Sequence, residues 1–301
     1  YNKARRAPRT TKGSAYMTRK LAILVMVLVL AATSAFLYYY SRGDGNDASS
    51  GFGLSFGGRR TFDERKSLAV TGVDLIDVSS ITAQVTVNYG DVEEITAHFW
   101  GEASLVSGFP VPALSVEVIG RTAKIEVEPR NILGFRMGFS NLKLDVVLPY
   151  SYSSDLKVES VSGGIVLGDF TGGSVDIDDV SGRLELGDMD LSGSLSVNLI
   201  SGSIDAGRVT AADSLSAKTV SGAIEFEEIW SEAYMKLGTV SGSVKVAVGQ
   251  DRGFRVSASS VSGGVTCDVP VRIESSTSKR LVGTAGDGGS SLDIETVSGS
   301  I

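Results

Sequence analysis

The chain has 301 residues, 36 of them glycine and only six proline, and charged side chains make up 21%. Glycine at about twice its average share with so little proline excludes a proline-rich disordered tract and points to many short strands joined by tight turns. The single cysteine, Cys267, excludes an intrachain disulfide, and the net charge of −7 conceals a split along the chain.

Residues 1–42 carry eight Lys or Arg and no acid, which leaves 20 basic against 35 acidic side chains in the remainder. An acidic body has nothing with which to neutralise phosphates, so nucleic acid is excluded as a partner. The basic residues of the tail, 1–20, precede an uncharged run at 21–40, LAILVMVLVLAATSAFLYYY. As a helix this run spans about 30 Å, the thickness of a bilayer's hydrocarbon core. Tyr38, Tyr39 and Tyr40 suit the membrane interface, and the preceding positive charge predicts a cytoplasmic N-terminus. The expectation is a single-pass cell-membrane anchor with the rest of the chain extracytoplasmic. The alternative is a cleaved signal peptide, with Leu21 to Leu30 as its apolar region and Thr33, Ser34 and Ala35 at the cleavage site. Residues 41–61 read as a Gly/Ser-rich linker, in which Arg42-Gly43-Asp44 is a chance match to an integrin motif.

Residues 62–150 alternate apolar and polar positions in five stretches: Ile81 to Tyr89, Glu94 to Trp100, Leu114 to Ile119, Ala123 to Glu128 and Leu142 to Leu148. They predict strands forming a β cap or first coils. In residues 151–301 one short phrase recurs: VSGGI at Val161, VSGRL at Val180, ISGSI at Ile200, VSGAI at Val220, VSGSV at Val240, VSGGV at Val261 and VSGSI at Val297. The steps are 19, 20, 20, 20, 21 and 36 residues, a period that marks a stacked repeat. Apolar residues at every second position, as in Leu195, Val197 and Leu199, make the repeat a strand repeat.

The fold class predicted is therefore all-β: a β-solenoid of about 20-residue coils, stacked at about 4.8 Å with aliphatic ladders inside, behind one transmembrane helix. Each unit should hold two or three strands, bent at turns such as Gly187-Asp188 and Ser192-Gly193. In V-S-G-x-I, the Val and the last apolar residue are expected to point inward. The Ser should face out, and the Gly should sit where a Cβ would clash with the next coil. The 36-residue step holds an insertion whose Gly283 to Gly289 stretch reads as a turn or loop.

The membrane segment, the lead-in closing on Leu148-Pro149, the VSGxI ladder and the final GTAGDGGSSLDIETVSGSI together resemble the putative adhesin family. That resemblance covers roughly residues 65–301. It implies an exported β-solenoid of undetermined function and supplies no catalytic residue.

No catalytic, cofactor-binding or metal-ligating residue is predicted. A nucleophilic triad needs a histidine, and the one present, His98, lies on an alternating strand beside Phe99 and Trp100. The same counts exclude a Cys/His metal site, and Gly286-Asp287-Gly288-Gly289 lacks the lysine of a phosphate loop. The candidate carboxylates are Asp176, Asp178, Asp179, Glu185, Asp188, Glu225, Glu227 and Glu228. They read as outward polar positions at no fixed register, with Trp230 and Tyr234 alone near them. The function expected is a non-enzymatic, adhesin-like binding or scaffold module at the cell envelope. Its partners would be an envelope polysaccharide, a surface protein, or a second copy through the solenoid ends, because Ile301 ends an incomplete repeat. Envelope-stress sensing is the alternative, and a polysaccharide-active β-helix enzyme a further one.

Overall fold

Residues 56–106, 111–129, 137–249 and 252–301 are described by the computed structural model. The tail at 1–20 and the apolar run at 21–40 lie outside the described residues. Among the described residues no helix is long and apolar enough to cross a membrane.

The lead-in forms β1 (Phe56–Ala69), β2 (Leu75–Ser80), β3 (Gln84–Gly90), β4 (Glu94–Val106), β5 (Pro112–Ile119), β6 (Thr122–Pro129) and β7 (Met137–Pro149). The repeats supply β8 (Asp155–Ser162), β9 (Ile165–Leu167), β10 (Phe170–Gly172), β11 (Val175–Ser181), β12 (Leu184–Leu186) and β13 (Met189–Leu191). They continue through β14 (Leu195–Ser201), β15 (Ile204–Ala211), β16 (Ser214–Ser221), β17 (Ile224–Ser231), β18 (Tyr234–Ser241) and β19 (Val244–Val248). The chain closes with β20 (Phe254–Ser260), β21 (Arg272–Thr277), β22 (Arg280–Ala285) and β23 (Ser290–Ser298).

From β8 to β19 each rung pairs in parallel with the one before it. Val175 lies on Leu156, Leu195 on Val175, Leu215 on Leu195 and Met235 on Leu215. The return strands do the same, with Leu184 on Ile165, Ile204 on Leu184, Ile224 on Ile204 and Val244 on Ile224. Two sheets result, one through β8, β11, β14, β16 and β18, the other through β9, β12, β15, β17 and β19. Their inward positions are buried, save Val246 on the last rung, which is partly so. Each such Leu, Ile or Val contributes about 1.5–3 kcal/mol by leaving water, so the aliphatic columns are the main stabilising term. A β-solenoid-like stem is what the 20-residue period predicts.

The ends depart from chain order. β2 and β3 lie against β8 and β9, yet the later strands β6 and β7 lie outside them. At the other end β23 is inserted between β18 and β20. Antiparallel partners close both ends: β4 and β1 on β7, β5 on β6, and the β21–β22 hairpin on β20.

Four expectations are corrected. β1 reaches back to Phe56, inside the stretch 41–61 read as linker, because β4 pairs along it from Phe56 onward. Gly283 lies within β22 rather than in a loop. Ile301 does not sit on a free edge: its N–H donates to Gly264 O at 3.0 Å and its carbonyl accepts from Thr266 N at 2.8 Å. The Val of the motif points outward, most clearly at Val261, which is 65% exposed. The residue before it takes the inward position (Ser160, Asp179, Leu199, Thr219, Thr239, Thr296), so strand alternation turns the Val out. The Gly bend then resets the parity, and the last apolar residue of the motif (Ile165, Leu184, Ile204, Ile224) is buried.

Candidate functional site

The VSG corner is built by close approach of successive rungs. A Cβ on Gly202 would stand 1.7 Å from Gly182 O, and one on Gly222 would stand 2.0 Å from Gly202 O; their φ values are +151° and +150°. Only glycine fits there. The bend takes the glycine carbonyl out of the strand ladder, and buried hydroxyls satisfy it. Thr219 Oγ1 donates to Gly202 O at 3.1 Å, Thr239 Oγ1 to Gly222 O at 3.0 Å, Thr296 Oγ1 to Gly242 O at 3.1 Å, and Ser260 Oγ to Gly299 O at 2.8 Å. Five of the seven motifs thus read T/S-V-S-G, with Asp179 and Leu199 the exceptions, and this first letter escapes a reading based on apolar pattern.

Asp179 occupies the same column and is only 3% exposed. Its register neighbours, Ser160 and Leu199, are uncharged, and neither carboxyl oxygen has a hydrogen-bond partner of good geometry. Burial pushes its pKa up to about 6, partly opposed by the nearby amides of Ser181 and Val180 and the Ser160 hydroxyl.

The other candidate carboxylates do not converge. Asp176 and Asp178 lie on β11, whereas Glu185, Glu225, Glu227 and Glu228 belong to the opposite sheet. Glu185, Asp205, Glu225 and Lys245 share one register, which corrects the expectation that the acids follow none. They are ion-paired: Arg183 lies 2.9 Å from Asp205 and 3.2 Å from Glu185, and Lys245 lies 2.6 Å from Glu225. Asp188 serves the backbone, accepting from Arg208 N at 2.8 Å. His98 stands 2.7 Å from Asp63 Oδ1 and stacks on Trp100 at 5.9 Å, away from the repeats on β4. Among the described residues no group of three or more His, Cys, Asp or Glu side chains could hold a metal ion.

A concave feature lies elsewhere. Along the corner made by β10, β13, β15 and β17 runs an open groove of about 440 Å³. Thr171, Asp190, Thr210 and Trp230 line it in direct register, one per rung. Strand spacing sets the step between them at about 4.8 Å. Trp230 is half-buried at one end, with the Arg252 guanidinium 4.8 Å from its ring centre and Glu232 beside it. Near Thr171, the Tyr89 hydroxyl lies 2.7 and 2.8 Å from the carbonyls of Tyr152 and Thr171, and its ring stacks on Phe170 and Tyr150. Trp230 thus has a cation beside it, and the aromatic cluster of Tyr89, Tyr150 and Phe170 stands three rungs away, at Thr171. The signal for this row was the 20-residue spacing of positions 190, 210 and 230, the same period that reveals the motif.

No curated protein matches the chain. Solved structures similar to it include a putative cell adhesion protein from Clostridium sporogenes, 11% identical with a TM-score of 0.38, covering 80% of this chain and 98% of that one. A putative adhesin from Bacteroides fragilis is 13% identical with a TM-score of 0.34, covering 79% and 96%. A putative lipid binding protein from Parabacteroides distasonis is 15% identical with a TM-score of 0.34, covering the same shares. The Toastrack DUF4097 family matches residues 73–301, a span that takes in every VSG rung and most of the lead-in, and the chain belongs to that family.

Proposed function

We propose that this protein is a membrane-anchored, extracytoplasmic, non-enzymatic module that binds partners at the cell envelope in the manner of an adhesin. The observation that carries the reading is the repetition of outward side chains in register, rung upon rung, on a stem whose core columns are buried. A rigid surface with a regular row of identical positions favours multivalent contacts, in which weak individual contacts combine into firm attachment. The motif's own Val column is one such row, about half exposed at Val220, Val240 and Val297 and more so at Val261. The ion-paired state of the acidic row on the second sheet supports binding over catalysis. The apolar run at 21–40 and its basic flank support the anchored, outward placement.

Cys267 provides the test of placement, because it is the chain's single thiol and is exposed. In intact cells a membrane-impermeant maleimide is expected to label it. Labelling that appears only after lysis would overturn the outward placement. The binding half is tested by retention of cells displaying the full chain on surfaces coated with isolated envelope material. Retention equal to that of cells lacking the chain would overturn it.

A further inference from the structure

We infer that the groove along β10, β13, β15 and β17 is a subsite for an extended, uncharged polysaccharide chain. This rests on the binding reading above and names the ligand class. Three features of the groove lead to it. The row Thr171, Asp190, Thr210 and Trp230 offers one side chain per rung, at a step close to the length of one pyranose unit in an extended glycan. A chain lying along the stem would therefore meet an equivalent position at each sugar.

The chemistry of the row is graded in the way sugar recognition requires. The Thr171 and Thr210 hydroxyls can donate and accept, as sugar hydroxyls do. The exposed Asp190 carboxylate accepts from two neighbouring hydroxyls in charge-assisted bonds, which are stronger than neutral ones. Trp230 supplies a flat apolar surface for the C–H face of a ring, and Arg252 stacked on it holds the indole in place.

Charge selects among glycans. Asp190 and Glu232 both face the groove, and the cation that lines it, Arg252, is engaged with Trp230. Behind them stands a chain whose acids outnumber its bases 35 to 28. Two acids against one cation leave the lining net negative, so a polyanion would meet repulsion at Asp190 and Glu232, whereas a neutral chain meets none.

The test presents the full chain to immobilised β-linked neutral glucan, α-linked neutral glucan and polygalacturonate, with binding read as retention. The neutral chains should retain the protein and polygalacturonate should not. Trp230→Ala and Asp190→Asn should each weaken retention about tenfold, equivalent to one ordinary contact of about 1.4 kcal/mol. Asp293→Ala, on the outward side of β23 in the other sheet, should leave it unchanged. Trp230→Phe serves as the second variant if Trp230→Ala loses its strand signal in circular dichroism, and it should keep most of the affinity. Preference for polygalacturonate, or neutral binding that ignores both groove variants, would overturn the assignment. If isolated envelope material is retained but the groove variants do not affect it, the groove assignment falls and the binding reading stands. If nothing from the envelope is retained, both fall.

Discussion

The middle of the stem and its two ends are made of the same kind of rung but assembled by different rules. From β8 to β19 every rung lies on its predecessor in sequence, so contacts are about 20 residues apart and each step repeats the last. At the ends, space and sequence part company: β2 and β3 are covered by β6 and β7, which come later, and β23 slides beneath β20, which comes earlier. An exposed last rung would present a row of unpaired backbone groups to any passing strand. Placing an out-of-order strand inside and finishing with an antiparallel hairpin removes that liability from the parallel stack. The new edge strand, β21, is exposed along its whole length and carries charge, with Glu274 held 2.7 Å from Arg255. The middle is thus built for repetition, and the ends are built to stop it.

The largest expected effect is steric, and it separates the bend glycines, tight in the middle and at the C-terminal end alike, from the position that follows them. Gly222→Ala drives a Cβ to within 2.0 Å of the Gly202 carbonyl at a φ of +150°, so both rungs must shift. A loss above about 4 kcal/mol, or failure to fold, is expected. Gly264→Ala, in the insertion near the C-terminal end, meets only Ser278 O at 3.9 Å and should change the denaturation midpoint little. Equal effects at the two sites would mean that the close approach at the bend is not what demands glycine.

Next is the charge buried in the middle at Asp179. Its folded pKa is about 6 against 3.8 for the free side chain, so folding favours the protonated form. The stability this gives is fully present below pH 3.8 and is lost as pH rises through about 6. Above that the ionised carboxylate costs up to about 3 kcal/mol, since each tenfold change in proton affinity is worth about 1.4 kcal/mol. Asp179→Asn should raise the denaturation midpoint at pH 8 and flatten its dependence between these values. An unaltered pH profile in that variant would show that the carboxyl finds donors.

How much of this was legible in the sequence follows the same division. In the middle, the period, the strand character, the outward Ser and the close-packed Gly could all be read, because each is a local pattern repeated on the next rung. Two features could not. The direction of the Val was misjudged because positions i and i+4 share a face in an unbroken strand, and the bend at Gly breaks the strand. The row at Thr171, Asp190, Thr210 and Trp230 was missed because its chemistry differs from rung to rung, so only its spacing betrays it. At the ends legibility fails for a different reason. Nothing local in Leu75 to Ser80 says that this strand pairs with both β6 and β8, and nothing in VSGSI at Val297 says that it enters below VSGGV at Val261. Those pairings are set by which edge is left open, which is a property of the assembled stem.

A smaller effect is expected from the hydroxyl column. Thr239→Val keeps the shape but leaves the Gly222 carbonyl without its 3.0 Å donor, which should cost about 1–3 kcal/mol. Ser260→Ala removes the equivalent 2.8 Å bond at the end, next to the exposed stretch that begins at Val261, and should cost less. A double mutant of the two should be additive, since they lie in separate rungs.

The smallest effect belongs to the most conspicuous letter of the motif. Val220 is 49% exposed, and its neighbour in the column, Val240, is also turned outward. Val220→Thr exchanges a methyl for a hydroxyl on a β-branched frame that strands accept equally well. The denaturation midpoint should therefore move by an amount equivalent to no more than about 0.5 kcal/mol, as for ordinary surface positions. A repeat whose Gly and Thr are indispensable and whose Val is not would separate what builds the stem from what the stem displays. A cost above about 1.5 kcal/mol would show instead that the outward Val side chains support one another from rung to rung, and that the column is part of the architecture.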